Sequence, residues 1–338
     1  MKNFRPNFPY LCSMKLRTEI HVAPLGTDIG YDDTVLLLGS CFADEMRRRM
    51  QELKFRAEGN FTGPLFNPAS AAALLRRAQD PAPATQAELR QDADGWWFHY
   101  DANTLLSDPD PAVAIGRYNE ALGKLRELLP RARCVVVTFG TAWVYRLKET
   151  GRIVANCHKQ PQASFDRERL TVEEIAAEWS QLLAGPLAEK QVIFTVSPIR
   201  HLSDGAEENS LSKAILRVAV GELTQRFGHA HYFPACELLT DDLRDYRFYA
   251  EDLVHPSRQA VGYVWEKFTA AALSARAQEL LPEVEQLVGQ SAHRPRRAGS
   301  ESWRKLRCRT ADRMKALQRN DGIDFSQEIT RMEYDFFH

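Results

Sequence analysis

Two hydrophobic rhythms alternate along the chain. Thr34–Leu38, Cys134–Phe139, Val192–Val196 and the shorter His231–Phe233 are continuous apolar runs. Runs of this kind suit parallel strands buried on both faces, and Lys54–Ala57 adds a fifth candidate. Between them the apolar spacing becomes helical. Phe42, Met46 and Met50 fall at i, i+4 and i+8, and Leu53 extends the stripe. Ala112–Leu129, Val172–Leu183 and Glu207–Phe227 follow, and Ser257–Ala275 places Val261, Val264, Trp265 and Phe268 on one face. The pattern predicts an α/β fold: an open, mostly parallel five-stranded sheet with helices on both faces. Chemistry in such sheets gathers at the carboxyl ends of the strands. Ser40, Gly140-Thr141 and Ser197-Pro198 follow three of the runs and are expected on that one edge.

Two segments interrupt the alternation. Trp96–Tyr100 reads as a strand or an aromatic flap. Trp143–Leu147 and Arg152–Asn156, joined through Gly151, read as a β-hairpin overhanging the edge. The Pro- and Ala-rich Asp80–Thr85 is a loop. Residues 14–278 are expected to form one domain. Residues 279–338 are read as a linker around His293–Gly299 and a basic, mostly helical tail with a helix near Glu301–Gln318.

Composition changes this picture little. With 338 residues, 44% apolar and 26% charged, the chain can bury a full core. It has no run long enough to span a bilayer. Met1–Arg17 lacks the apolar segment of a signal peptide, so cytoplasmic residence is the expectation. Ten of the 44 Lys and Arg residues, against two of the 45 acidic ones, lie between His293 and Asn320. The remainder is therefore acidic, and the basic stretch reads as a solvated helix face docked on it. The six cysteines are scattered singly with no CxxC pair, so no metal site is indicated.

The candidate chemistry comes from two distant segments. Gly39 permits a tight strand-to-helix turn, and Ser40 sits where the free N–H groups of a helix begin. Ser40 alone could be a plain helix cap. Asp252-Leu253-Val254-His255-Pro256-Ser257 alters that balance. A spacing of three puts Asp252 and His255 on one face of a turn, with Asp252 able to accept from Nδ1 and Nε2 left to take a proton from Ser40. Pro256 ends the turn and Ser257 can cap the helix that follows. Arg200 and His201, after the Val192–Val196 run, are candidate substrate contacts; a guanidinium there suits a carboxylate, phosphate or sugar acid. Arg200 could equally pair with Asp204 or Glu207. Cys41 reads as strand-end packing.

These segments resemble the GSCFA family, within the wider SGNH (GDSL-like) hydrolases. The resemblance covers about Met14 to Ala275 and rests on six stretches: Gly39-Ser40-Cys41-Phe42-Ala43, Gly63-Pro64-Leu65-Phe66-Asn67-Pro68, Gly140-Thr141-Ala142-Trp143, Asn156-Cys157-His158-Lys159, Ser197-Pro198-Ile199-Arg200-His201 and the Asp252–Ser257 stretch. It implies a flavodoxin-like three-layer α/β/α sandwich with strand order 2-1-3-4-5. It also implies Ser40 as nucleophile, with Asp252 and His255 completing the triad. Relatives hold the oxyanion with the nucleophile's own amide, a glycine that Gly63 matches, and an asparagine in a Gly-x-Asn-Asp loop. Here Ala142 stands at the asparagine position, so the Thr141 hydroxyl, or Asn156 or His158 carried back by the hairpin, is the expected replacement, and His158 is also a candidate substrate contact. The implied activity is cleavage of small O-acyl esters, including acylated sugars, with no metal or organic cofactor and no nucleic-acid partner. Acyl transfer to a sugar by the same triad, and a binding module without catalysis, are the alternatives.

Overall fold

The computed structural model describes residues 17–293 and 300–337. The readings made on residues 1–16 and on the 294–299 part of the linker lie outside the described residues. The central sheet consists of β1 (Thr34–Gly39), β2 (Arg56–Gly59), β3 (Cys134–Phe139), β4 (Gln191–Val196) and β5 (Ala230–Tyr232). All neighbouring pairs are parallel and the spatial order is β5-β4-β3-β1-β2. This is the expected 2-1-3-4-5 sheet, with β2 displaced to 56–59 from the apolar run that foretold it.

Strand alternation divides the core in two. Leu36, Leu38, Val135 and Val137 face one layer, and Val35, Leu37, Cys134 and Val136 face the other. The first layer holds α2 (Pro68–Gln79), α3 (Pro111–Arg131), α4 (Val172–Ala184) and α5 (Gly205–Arg226), which contribute Leu75, Leu122, Trp179 and Leu223 among others. The second holds α1 (Cys41–Glu52), whose Phe42, Met46 and Met50 stripe is buried as its spacing requires, together with α6 (Arg258–Ala272). Caps mark the starts: Asn67 Oδ1 accepts from Ser70 N–H at 2.8 Å, and Thr171 and Glu174 form a reciprocal capping box.

The same second layer contains the helices beyond residue 278. They are α7 (Ala275–Ala292), α8 (Glu301–Asp321) and α9 (Ser326–Phe337). Val284, Met314, Leu317 and Phe325 are buried in one cluster with Val35, Phe42 and Phe55. A largely buried Lys54–Glu328 ion pair ties α9 to the turn before β2. α8 docks through Thr310, Met314 and Leu317, while most of its basic residues are exposed and Arg313 pairs with Glu283 on α7.

A small antiparallel sheet rises from the carboxyl edge. Trp143–Leu147 pairs with Ile153–Val154 as the expected hairpin, and with Phe165–Arg169 on its other side. That third strand carries Asp166, Arg167, Glu168 and Arg169, so no apolar run announced it. Trp97–Phe98 pairs with Arg90–Gln91, and Phe98, Tyr100, Leu147, Val154 and Phe165 form a separate core for this flap.

Candidate active site

Ser40 is fully buried at the end of β1, and its surroundings fix it from several sides. Gly39 has φ +129°, and a Cβ there would stand 2.1 Å from Thr138 O, so only glycine fits. The backbone of Gly39 is clamped by Asn60, which accepts from its N–H at 2.9 Å and donates to its carbonyl at 3.1 Å. Leu65 N–H donates to the same carbonyl at 2.8 Å. Ser40 Oγ accepts from Phe42 N–H at 3.3 Å, capping α1.

The loop after β3 lies beside this turn. Gly39 and Thr138 are register partners, and Gly140 follows two residues on. Gly140 N–H and Thr141 N–H both donate to Phe66 O, at 2.8 and 2.9 Å, joining the loops after β2 and β3. Ala142 N–H donates to Ser212 Oγ at 2.7 Å, Thr141 Oγ1 lies 3.1 Å from the same oxygen, and Trp143 N–H donates to Thr141 Oγ1 at 3.1 Å. One hydrogen serves the bond between the two hydroxyls, so the other O–H stays free. Ser212 is buried and loses more from an unmade bond, which leaves the free hydrogen on Thr141. Lys213 Nζ donates to Gly140 O and Ser197 O, at 2.7 and 2.8 Å, bridging the carboxyl ends of β3 and β4. Burial pulls its ammonium pKa down to about 8.

Across the edge, Asp252 Oδ2 lies 2.6 Å from His255 Nδ1, and Asp252 Oδ1 accepts from Val254 N–H and His255 N–H at 2.9 and 3.0 Å. The backbone N–H bonds of His255 and Val254, then the ring bond of His255, hold the Asp252 carboxyl down at about 2. A carboxylate only accepts, so Nδ1 carries the hydrogen and the neutral ring keeps its acceptor lone pair on Nε2. The pair is half-exposed. Its loop passes through Leu253 in the left-handed region, φ +57°. Arg200 steadies it: the Arg200 N–H donates to Val254 O at 3.2 Å, the guanidinium donates to Leu253 O at 3.3 Å, and it lies over the Tyr249 ring at 5.5 Å. Neither Asp204 nor Glu207 claims Arg200; Asp204 pairs with Arg167. Among the described residues His255 Nε2 has no hydrogen-bond partner, so Ser40 and His255 share an edge without a direct bond between them.

The remaining expected residues divide. Ser40 N–H donates to Thr138 O at 3.1 Å and Gly63 N–H donates to Asn60 O at 2.8 Å, so both backbone amides anticipated as oxyanion donors are engaged within the protein. Asn156 lines a 520 Å³ pocket with Phe66, Asn103, Tyr145, Gln160 and Phe165, between the loop after β2 and the flap. Its Oδ1 accepts from His158 N–H at 2.8 Å. His158, anticipated as a substrate contact, is instead packed into the flap. Its ring stacks on Phe98 at 4.2 Å and its Nε2 lies 3.0 Å from His99 O. Burial pushes its pKa down, which suits a neutral ring in an apolar stack. Cys41 is half-buried; burial, then Asp44, pushes its thiol pKa up, away from the thiolate.

His201 stands closer to the chemistry. Its backbone N–H donates to Asn209 Oδ1 at 2.9 Å, and its ring meets Phe66 edge-on at 5.8 Å. Its Nε2 is buried and has no partner. Burial first, then Lys213 and His255, pull its pKa down to about 4, against a smaller opposing pull from Asp204. Sequence reasoning missed Asn60, Ser212 and Lys213. Each is a common polar residue in a loop or helix, and only the neighbouring strand ends give it a task.

The fold and this edge define a flavodoxin-like α/β/α sandwich with a serine at the first strand end and an Asp–His pair on the loop before α6. The chain belongs to the GSCFA family, which it matches over residues 34–268. No curated protein matches it. Among solved structures it is similar to an acetyl esterase, a serine-to-alanine mutant crystallised with acetate ion, at 10% identity and a TM-score of 0.32, covering 77% of this chain and 100% of that one. It is also similar to an acetyl xylan esterase from the rumen bacterium Butyrivibrio proteoclasticus, at 10% identity and a TM-score of 0.35, covering 77% and 66% of the two chains.

Proposed function

We propose that the chain is a serine hydrolase of SGNH type that cleaves small O-acyl esters, including those of acylated sugars. The observation that carries this reading is the Asp252–His255 pair, at 2.6 Å, on the same sheet edge as Ser40. Ser40 Oγ leaves its weak bond to Phe42 N–H and passes its proton to His255 Nε2 as the Oγ–carbon bond forms. The carbonyl electron pair moves onto oxygen. Collapse breaks the bond to the alcohol, which takes the proton back from His255. Water repeats the sequence on the acyl-serine and releases the acid. Asp252 holds the tautomer and stabilises the imidazolium, and the spare Thr141 O–H supports its role as an oxyanion donor.

The test is labelling of the folded chain by a fluorophosphonate probe. Ser40 is expected to be modified, Ser40→Ala to abolish labelling, and His255→Ala to slow it strongly. An unmodified Ser40 in folded protein would sink the proposal.

The pocket beside the site favours acyl transfer to a sugar as the second reading. Its Phe66, Tyr145 and Phe165 rings and its carboxamides suit a hydroxylated acceptor. Partition of the acyl group between water and added sugars separates the two outcomes.

A further inference from the structure

The asparagine that relatives place after the third strand is absent, and Ala142, which replaces it, has its amide bonded to Ser212. Ser40 N–H and Gly63 N–H are engaged as well. With these three amides engaged, the Thr141 hydroxyl is the donor left on the loop after β3, and a second donor has to come from another element. A Cβ built on Gly140 would lie 3.0 Å from His201 Nε2, which puts this nitrogen directly against the loop where the asparagine would stand. Gly140 is one step past the level of Ser40 in the β1–β3 register, and adjacent strands lie only about 5 Å apart. We propose that His201, from the loop after β4, is a catalytic residue whose Nε2–H takes over the missing asparagine's hydrogen bond to the oxyanion.

Three features fit a donor. Nε2 is buried and unpartnered, which is unfavourable in the resting protein and is relieved when an oxyanion arrives. Phe66 O, which lies 3.0 Å from the same built Cβ, already accepts from Gly140 N–H and Thr141 N–H, so its lone pairs are engaged and it does not claim Nε2. The ring also stays neutral while His255 works, because burial, Lys213 and His255 all disfavour its cation and only Asp204 opposes them. A neutral imidazole keeps one N–H without drawing the proton that His255 must carry. The Phe66 ring and Asn209 hold its orientation, and a Cβ on Gly140 would crowd its Nε2 at 3.0 Å.

This inference rests on the triad reading, and one set of measurements separates them. Full-length wild type, His201→Phe and His201→Gln are compared for hydrolysis of p-nitrophenyl acetate and for fluorophosphonate labelling of Ser40. His201→Phe is expected to lower kcat about 100-fold with KM little changed, the loss typical of one oxyanion donor. His201→Gln, which restores an N–H, is expected to recover most of it; a merely structural role gives no such rescue. Should His201→Phe fail to fold, ¹H–¹⁵N NMR of wild type supplies the readout, because phosphonylation of Ser40 should shift the His201 ring N–H downfield. Labelled Ser40 with an unchanged His201→Phe kcat, no recovery in a folded His201→Gln, or an unmoved ring signal overturns the His201 role alone. A wild type that neither labels nor hydrolyses overturns both readings together.

Discussion

Ser40 is gripped by the sheet, whereas His255 rests on a surface loop. Asn60, Leu65 and Thr138 all bond to the Gly39-Ser40 backbone, and the serine is fully buried. The Asp252–His255 pair is half-exposed, its turn bends through left-handed Leu253, and Arg200 braces it from the loop after β4. The position of Ser40 is thus coupled to global stability, while His255 can be altered with little effect on the fold. Changes at the two ends should therefore separate activity from stability.

The largest effect is expected at the exposed end. Asp252→Asn removes the acceptor that sets the His255 tautomer and should lower kcat about 10⁴-fold. Its thermal midpoint should match wild type in a melting experiment; a joint loss of activity and stability would erase the contrast. The buried end should behave oppositely. Gly39→Ala forces a Cβ against Thr138 O and should cost about 3 kcal/mol or more in urea unfolding.

A smaller effect concerns pH. The folded-state pKa of His201 is depressed to about 4 from its ordinary value of 6.5. Between those values the unfolded chain binds more protons, so stability rises with pH there. The contribution is complete above about 6.5 and lost as pH falls through 4, amounting to roughly 1–3 kcal/mol. Urea midpoints of wild type and His201→Gln from pH 7 to 4 should show wild type falling faster; parallel curves would mean an ordinary solvated histidine. The smallest effect is at Leu253. Leu253→Gly relieves its left-handed backbone and should raise stability by less than about 1 kcal/mol. A clear loss of stability would mean that the Leu253 side chain packs more than its exposure indicates.

Much of the fold was legible because buried parallel strands and amphipathic helices leave strong periodicities. The runs at 34–38, 134–139 and 192–196 each became a central strand, and Phe42, Met46 and Met50 became the buried face of α1. The third flap strand at 165–169 was silent because charged residues dominate it and its pairing depends on Trp143–Leu147. The placement of α7, α8 and α9 on the sheet was also hidden, since an amphipathic stripe does not say which surface it covers.

The sequence by itself determined the parallel sheet through the β–α alternation, the edge on which Ser40 lies through its position after a strand, and the Asp252–His255 contact through a spacing of three. Local contacts of this kind are written in short-range patterns. Tertiary structure alone decided which donors are free. It bonded Ser40 N–H to Thr138 O, Gly63 N–H to Asn60 O and Ala142 N–H to Ser212, absorbed His158 into the flap, and set His201 Nε2 unpaired against Gly140. Whether a polar group is engaged or available depends on neighbours from distant segments, and no local pattern in the chain encodes that.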